Sequence, residues 1–542
     1  MLNALLMLYV VSGLQSAMMR VRKPNVLYMA VKPSGRLKKL PSLPIYEEIS
    51  KNDMFDEEDR AKRCLKYLDD SPDPFHVVKS SIRMLEANGF KGISESELWR
   101  KNKTLKRGGK YYFTRNGSTI VAFIVGKKYK SGNGFKVLGA HTDSPNLKLK
   151  PRCKKSGHGL IQLSVETYGG GLWHTWFDRD LSIAGRVILR DHKTNKFTTK
   201  LICINDRSIL RVPNLCIHLR TPEERESFKV NKEDHLIPIL CDEINKALGS
   251  SNSTDVTKDL WLNEQSPELI SLLNKELEVD TRKQSIVDFE LSLFDVQKAA
   301  ITGMRNEFLC SSRIDNLVSC FATLDALVDH SNSNIQDDEG VSMVALFDHE
   351  EVGSESNAGA GSTVMQDAIT RISNALLDDN VEDTELFKCA LTKSMILSVD
   401  MAHAIHPNYA SKHEKGHAPK LNTGIVIKTN NNQVRSLITH SLTHSLTHSL
   451  THSLTHSLIA LCHEWYYWIL REGTRTNSRC PGPRVYREKR LSMWIDDRTH
   501  HICCNWYKSR GYWHADAVDA LRQGNVGEKR YYLRTQIIHN IL

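Results

Sequence analysis

The 542-residue chain has no paired cysteine spacing, no apolar run long enough to cross a membrane, and no basic excess in its middle. Its twelve cysteines are scattered, no CxxC pair occurs, and the one adjacent pair is Cys503–Cys504. Zinc ribbons and disulfide frameworks need regular paired spacings, so both are excluded and the thiols read as buried and reduced in an intracellular protein. The apolar stretch Ala4–Val11 is shorter than the roughly 20 residues of a span, and no Lys or Arg precedes it as in a signal peptide. The net charge of +10 belongs to the ends. Residues 1–46 carry seven Lys/Arg and no acid, and residues 434–542 carry fifteen against eight, which leaves 47–433 at −4. Nucleic acid and membrane surfaces are therefore excluded as partners of the middle of the chain.

What is present is an ordinary globular composition, 40% hydrophobic and 25% charged, long enough for a large core and two domains. Ala61, Leu65 and Leu68 recur at helical spacing from about Glu57, and Pro72 and Pro74 end the segment. Phe75–Asn88 reads as a second helix with Gly89 placed to cap it. Strand-like runs follow at Tyr111–Thr114, Thr119–Val125 and Val137–Ala140. From Lys150 to Val287 the texture becomes β-rich, with strands expected at Leu160–Thr167, Arg186–Arg190 and Phe197–Ile204 and a polar loop at Gly249–Asp255. An amphipathic helix, Asn316–His330, and two apolar strand runs, Val341–Phe347 and Met395–Val399, then restore the α/β pattern. The expected organisation is an extension at 1–56, a catalytic domain in two parts at 57–149 and 288–433, a β-rich insertion at 150–287, and a tail at 434–542. The extension is signal-like at Ala4–Val11 and transit-like in the acid-free stretch Arg20–Lys39, and a misplaced start explains it equally well; the expected location is the cytoplasm.

Three apolar strands run into potential metal ligands. Val137–Ala140 leads to His141 and Asp143, Val341–Phe347 to Asp348, His349, Glu350 and Glu351, and Met395–Val399 to Asp400. Sites in open α/β sheets form at the carboxyl ends of strands, so these groups are candidates for one crevice. Asp315 opens the amphipathic helix and either caps it or faces the same crevice. Taken alone, His141 is a strand-end histidine, Asp315 a cap, Glu350 and Glu351 a charged turn, and Asp400 a turn residue. Together they offer the nitrogen and oxygen donors zinc accepts. A pair of metals needs a bridging carboxylate, terminal ligands and a further carboxylate for protons, and this set supplies most of those parts.

The strings around these residues carry a resemblance. Asp73-Pro-Phe-His76, Gly139-Ala-His-Thr-Asp-Ser-Pro145, Tyr168-Gly-Gly-Gly-Leu-Trp173 and Thr175-Trp-Phe-Asp-Arg-Asp180 resemble the aspartyl aminopeptidases. So do Arg313-Ile-Asp-Asn-Leu317, Asp348-His-Glu-Glu-Val-Gly-Ser-Glu-Ser356 and Asp400-Met-Ala-His-Ala-Ile-His-Pro-Asn-Tyr409. The resemblance runs in order from about 57 to 433. It implies an α/β metallopeptidase fold, a mixed sheet flanked by helices with an inserted β-rich domain, and homo-oligomerisation. It also implies two zinc ions and release of N-terminal Asp or Glu from peptides. By motif, His141 and Asp400 would bind one zinc, Asp315 would bridge, and Glu351 would bind the second. Asp143 would orient the His141 ring, and Glu350 would take a proton from water and deliver it to the leaving amine. His218, His403 and Lys428 would contact substrate, Lys428 being a cation suited to an acidic side chain.

After Gln433 the pattern stops. Arg435 stands where the family has a tyrosine, and neither a glycine-rich segment nor the final histidine of the second zinc follows, so the second metal site is expected to be incomplete. Instead Leu-Thr-His-Ser repeats through Ser441 to His456. A four-residue period is too short for a solenoid unit of roughly 20 residues or more. The tetranucleotide CTCA read in triplets encodes this repeat, so the tail reads as translated non-coding DNA unrelated to the fold; a His-rich metal-binding tract is the other reading. The alternatives to an active peptidase are an impaired family member, a related two-metal hydrolase, or a scaffold that keeps the fold.

Overall fold

The computed structural model describes residues 51–243, 260–333, 335–377, 385–416, 418–422, 425–428 and 502–503. The expectations for residues 1–50, the Gly249–Asp255 loop and the Leu-Thr-His-Ser repeat lie outside the described residues, whereas 51–56, assigned to the extension, open the helix Lys51–Asp69.

A seven-stranded mixed sheet has the order β1-β2-β3-β13-β4-β14-β15. Its strands are β1 (Lys91–Gly92), β2 (Lys110–Arg115), β3 (Thr119–Val125), β4 (Phe135–His141), β13 (Val341–Phe347), β14 (Met395–Ser398) and β15 (Ile502–Cys503). Every residue of β3 and β13 is buried, because helices cover both faces. On one face Val121, Phe123, Met343 and Phe347 pack with Val364 and Ile369 of the helix Val364–Ala375. On the other, Ile120, Ile124, Val344 and Leu346 pack with Leu317, Phe321 and Leu324 of the helix Ile314–Asn332. Strands buried on two sides read as unbroken apolar runs, which is why both ranges were legible. The helix Pro74–Ala87 is capped by Asp73, which accepts the Phe75 and His76 N–H groups, and Gly89 follows it at φ +80°.

A second, antiparallel sheet has the order β8-β7-β10-β5-β6-β9. It comprises β5 (Asn146–Gly157), β6 (Leu160–Tyr168), β7 (Leu181–Asp191), β8 (Phe197–Cys203), β9 (Ile239–Asp242) and β10 (Gln284–Asp295). Leu147, Leu163, Val187, Leu189 and Leu291 form its core with Leu269 and Leu273 of the helix Pro267–Glu276. The expected strands fall on β6, β7 and β8. β5 was not anticipated: its lysines and Pro151 make a charged run in which alternate residues such as Leu147 and Leu149 carry the burial. A two-stranded hairpin, β11 (Ala300–Thr302) and β12 (Phe308–Cys310), completes the strands. Within the tail read as foreign to the fold, Ile502–Cys503 pairs in parallel with Leu397 and Ser398 of β14. Among the described residues no helix is long and apolar enough to cross a membrane.

β13, β4 and β14 are mutually parallel, with Phe347 opposite His141 and Ser398 opposite Gly139. Their carboxyl ends therefore open on one edge. At the opposite edge Asp338 ties the two central strands: its carboxylate lies 3.1 Å from Lys136 Nζ of β4 and accepts the Gly340 N–H just before β13. Burial acts to raise its pKa, but His330, Lys136 and the Gly340 N–H outweigh that and hold it at about 2, below the ordinary 3.8. A depressed carboxylate stabilises the fold above its unfolded pKa, and the stabilisation is lost as pH falls from about 4 towards 2. Asp338→Asn should therefore lower stability by about 2 kcal/mol at neutral pH and shrink the gap to wild type below pH 3. Urea unfolding at pH 7 and pH 3 checks this; equal stability of the two proteins at pH 7 would refute it.

Candidate metal centre

Each strand end delivers one polar side chain to the edge that β4, β13 and β14 share. His141 ends β4 and is buried, and its Nε2 lies 3.3 Å from Asp315 Oδ1 and 3.4 Å from Asp400 Oδ1. The three donor atoms lie within 4.8 Å of one another, and these residues form the one candidate metal group among the described residues. Asp400 follows β14 and accepts its neighbour's Met401 N–H at 2.8 Å. Asp315 comes from the start of the Ile314–Asn332 helix, where the backbone at Asp315 and Asn316 leaves helical geometry across a cis peptide bond. Arg313, not Asp315, occupies the cap position, and Asn316 Nδ2 ties the break to Val399 O at 2.9 Å. The choice left open by the sequence, cap or crevice, thus falls to the crevice.

The electrostatics of the trio call for a cation. Burial alone would lower the His141 pKa, yet Asp143, Asp315 and Asp400 together raise it well above its ordinary value. Asp315 is pushed up by burial and by the Asp400 charge beside it, against the pull of His141. Asp315 Oδ1 is buried and accepts no well-formed hydrogen bond, despite its 3.3 Å contact with the ring. A buried carboxylate oxygen in that state is costly, and a divalent cation between two carboxylates and an imidazole removes the cost. The residues present fit one zinc ion.

Asp143 organises the surroundings. It has no solvent exposure, its backbone oxygen lies 2.9 Å from His141 Nδ1, and its Oδ1 lies 3.4 Å from the same nitrogen. Its two carboxylate oxygens accept the Glu350 N–H at 3.1 Å and the Glu351 N–H at 3.0 Å. Oδ2 also accepts the Tyr168 hydroxyl at 2.7 Å. Burial works to raise its pKa, but His141, Tyr168 and the Glu351 N–H hold it at about 2. The turn Glu350–Val352 is thereby fixed against the end of β4, and Glu350 Oε2 stands 3.9 Å from His141 Nε2. Asp348 is pushed to about 6 by burial and by Asp143, with His349 and Lys148 opposing. His349 Nδ1 meets Ser356 Oγ at 2.6 Å, closing the loop that carries both glutamates.

The structure does not draw the three substrate candidates into this trio. His218 is exposed in the short 3-10 helix Ile217–Leu219, between the exposed apolar Ile217 and Leu219. His403 is exposed, its ring 5.2 Å from that of His413, and Lys428 is half-buried. Two residues given no role from sequence stand behind the glutamate turn instead: Tyr168, which bonds Asp143, and Gly169, which lies against Glu351. A Cβ at Gly169, where φ is +72°, would sit 3.0 Å from Glu351 Cβ and 3.3 Å from its Oε2. The glycine triplet after β6 was the available signal, since close backbone approach requires glycine.

Residues 67–463 match the family model for M18, aminopeptidase I zinc metalloproteases. That match runs thirty residues past Gln433, where the motifs stop, onto residues outside the described ones. A probable aspartyl aminopeptidase of Ricinus communis is 44% identical over 386 residues, 68% of this chain and 77% of the relative. The aspartyl aminopeptidase of Aspergillus oryzae is 43% identical over 388 residues, 68% and 76% respectively. The cryo-EM structure of the Ape4 and Nbr1 complex superposes with a TM-score of 0.64 at 38% identity, covering 71% of each chain. The S. cerevisiae mApe1 dodecamer gives 0.59 at 28% identity, covering 72% of this chain and 82% of the other.

Gly169→Ala forces an L side chain into left-handed backbone against Glu351. It should cost about 1–2 kcal/mol of stability and weaken zinc binding. Gly157→Ala, where a Cβ meets nothing within 4 Å, serves as the control. Thermal melting and zinc titration compare the two, and indistinguishable behaviour would show that the Gly169 contact is unimportant.

Proposed function

The chain belongs to the M18 family of zinc metallo-aminopeptidases, which are hydrolases, and from that premise we propose that it releases N-terminal aspartate or glutamate from peptides. The observation that carries the reading is the buried trio His141, Asp315 and Asp400 beside a glutamate turn fixed through Asp143. The aspartyl aminopeptidase relatives at more than 40% identity support the choice of substrate.

His141 and Asp400 would hold one zinc, and Asp315 would be shared with a second on which Glu351 is the other carboxylate. When bound, zinc supplies the Lewis acidity that makes water nucleophilic near neutral pH. Glu350, beside the trio and outside it, accepts the proton of the attacking water and passes it to the leaving amine. Its backbone N–H is spent on Asp143, which holds the turn in place beside the trio. Lys428 would pair with the acidic side chain of the substrate, and His403 and His218 would complete its surroundings. Self-association is part of the reading: mApe1 is a dodecamer in its solved structure, and Leu215, Ile217 and Leu219 around His218 are 48–70% exposed here.

On this reading the second zinc would lack its terminal histidine, because no histidine after Gln433 stands in a family motif. The reading therefore expects one firmly held zinc and a weak second site. The test assays the full chain with zinc, its Glu350→Gln variant, and a version carrying family-like residues after 433. Release of Asp from Asp-peptides should exceed release of Ala or Lys, and Glu350→Gln should lower it by about 10²-fold or more with zinc content unchanged. The family-like version should be more active and bind two zinc ions. No preference for acidic peptides in any version would refute the substrate reading, and equal activity of the two C-termini would refute the incomplete second site.

A further inference from the structure

We propose that Tyr168 is a positioning residue for the Glu350–Glu351 turn, through which the antiparallel sheet sets the geometry of the reacting groups. The inference rests on the peptidase reading, since it names what holds the proton carrier in place. Tyr168 is the last residue of β6, in the second sheet, yet its hydroxyl donates at 2.7 Å to Oδ2 of Asp143, two residues past β4 of the first. The same oxygen accepts the Glu351 N–H at 3.0 Å, and the other carboxylate oxygen accepts the Glu350 N–H at 3.1 Å. Removing the hydroxyl leaves a fully buried carboxylate short of one donor, and the two N–H groups are what it can redistribute.

The tyrosine is itself fixed from behind. Lys148 of β5 places its ammonium 4.2 Å from the ring centroid. Lys148 bonds Glu290 Oε1 of β10 at 2.9 Å, and Arg186 of β7 holds Glu290 Oε2 at 3.0 Å. A cation over the ring face draws electron density from the phenol and strengthens its hydroxyl as a donor. Burial and the neighbouring Asp143 and Asp348 charges keep that hydroxyl protonated, so it remains a donor across the working pH range. Four strands of the second sheet, β5, β6, β7 and β10, thus converge on one hydrogen bond to the catalytic edge of the first. Gly169, next in sequence, adds a second touch by seating Glu351.

Hydrogen exchange of the full chain, read by mass spectrometry on peptides spanning 348–353, measures the turn directly and needs no turnover. Tyr168→Phe should speed exchange there by about tenfold while peptides from β7 and β10 stay at the wild-type rate. In the zinc-loaded protein kcat should fall about tenfold to hundredfold with KM within about twofold, as for a lost alignment and not a lost substrate contact. Unchanged exchange in 348–353, or equal acceleration throughout the second sheet, would overturn the proposal, the latter by showing a structural role alone. Should Tyr168→Phe fail to fold, Lys148→Met keeps the hydroxyl and removes the cation. It should then speed exchange in the same peptides by about threefold, and no change would overturn the proposal. If no version of the chain prefers acidic peptides, the substrate reading fails while the exchange measurement still decides this one.

Discussion

One buried carboxylate, that of Asp143, holds the candidate site together. It has no contact with water, so each lone pair it presents must find a donor inside the protein. The donors it finds are the Glu350 N–H, the Glu351 N–H and the Tyr168 hydroxyl. These come from the loop after β13 and from the far end of β6, so satisfying one side chain fixes two loops relative to β4. His141 lies two residues earlier and leans its Nδ1 towards the same residue, which turns Nε2 to the aspartates. Ligand, proton carrier and second sheet are coupled at a single point of hydrogen-bond demand.

The frame around that point explains why the coupling can be rigid. β3 and β13 are fully buried and apolar apart from Thr119 and Ser342, whose hydroxyls bond Ala358 O and His330 Nε2. Polar side chains appear where the strands end, and the parallel register of β4, β13 and β14 puts three such ends side by side. Asp315 reaches the same edge from a helix whose first residues break helical geometry. A site made this way draws its precision from the strand register and its chemistry from the few residues beyond it, as open α/β sheets do generally.

The sequence was most legible where one physical demand dominated. Val341–Phe347 was readable to the residue because burial on two sides leaves a run that is apolar but for Ser342. β5 was not, since half its residues are lysines, arginine or proline, and its core residues are too widely spaced to register. Asp315 was ambiguous in principle: an aspartate at a helix start is a cap or a ligand depending on backbone geometry that sequence does not contain. Lys148, Glu290 and Tyr168 were missed because their importance lies in tertiary contacts: Lys148 and Glu290 meet across 142 residues of chain, and Tyr168 reaches out of its own sheet to Asp143. For His218, His403 and Lys428 the converse holds. Motif position nominated them, and no geometry among the described residues adds to the nomination.

The account stands on the trio His141, Asp315 and Asp400 being where zinc binds, in a chain that also carries a histidine-rich repeat and the Cys503–Cys504 pair. Zinc K-edge X-ray absorption of the full chain with one equivalent of metal separates these sites. The account predicts one imidazole with oxygen donors at about 2.0–2.2 Å, and loss of that pattern in Asp400→Ala. A shell of several imidazoles, or sulfur at about 2.3 Å, would place the metal in the tail and contradict it.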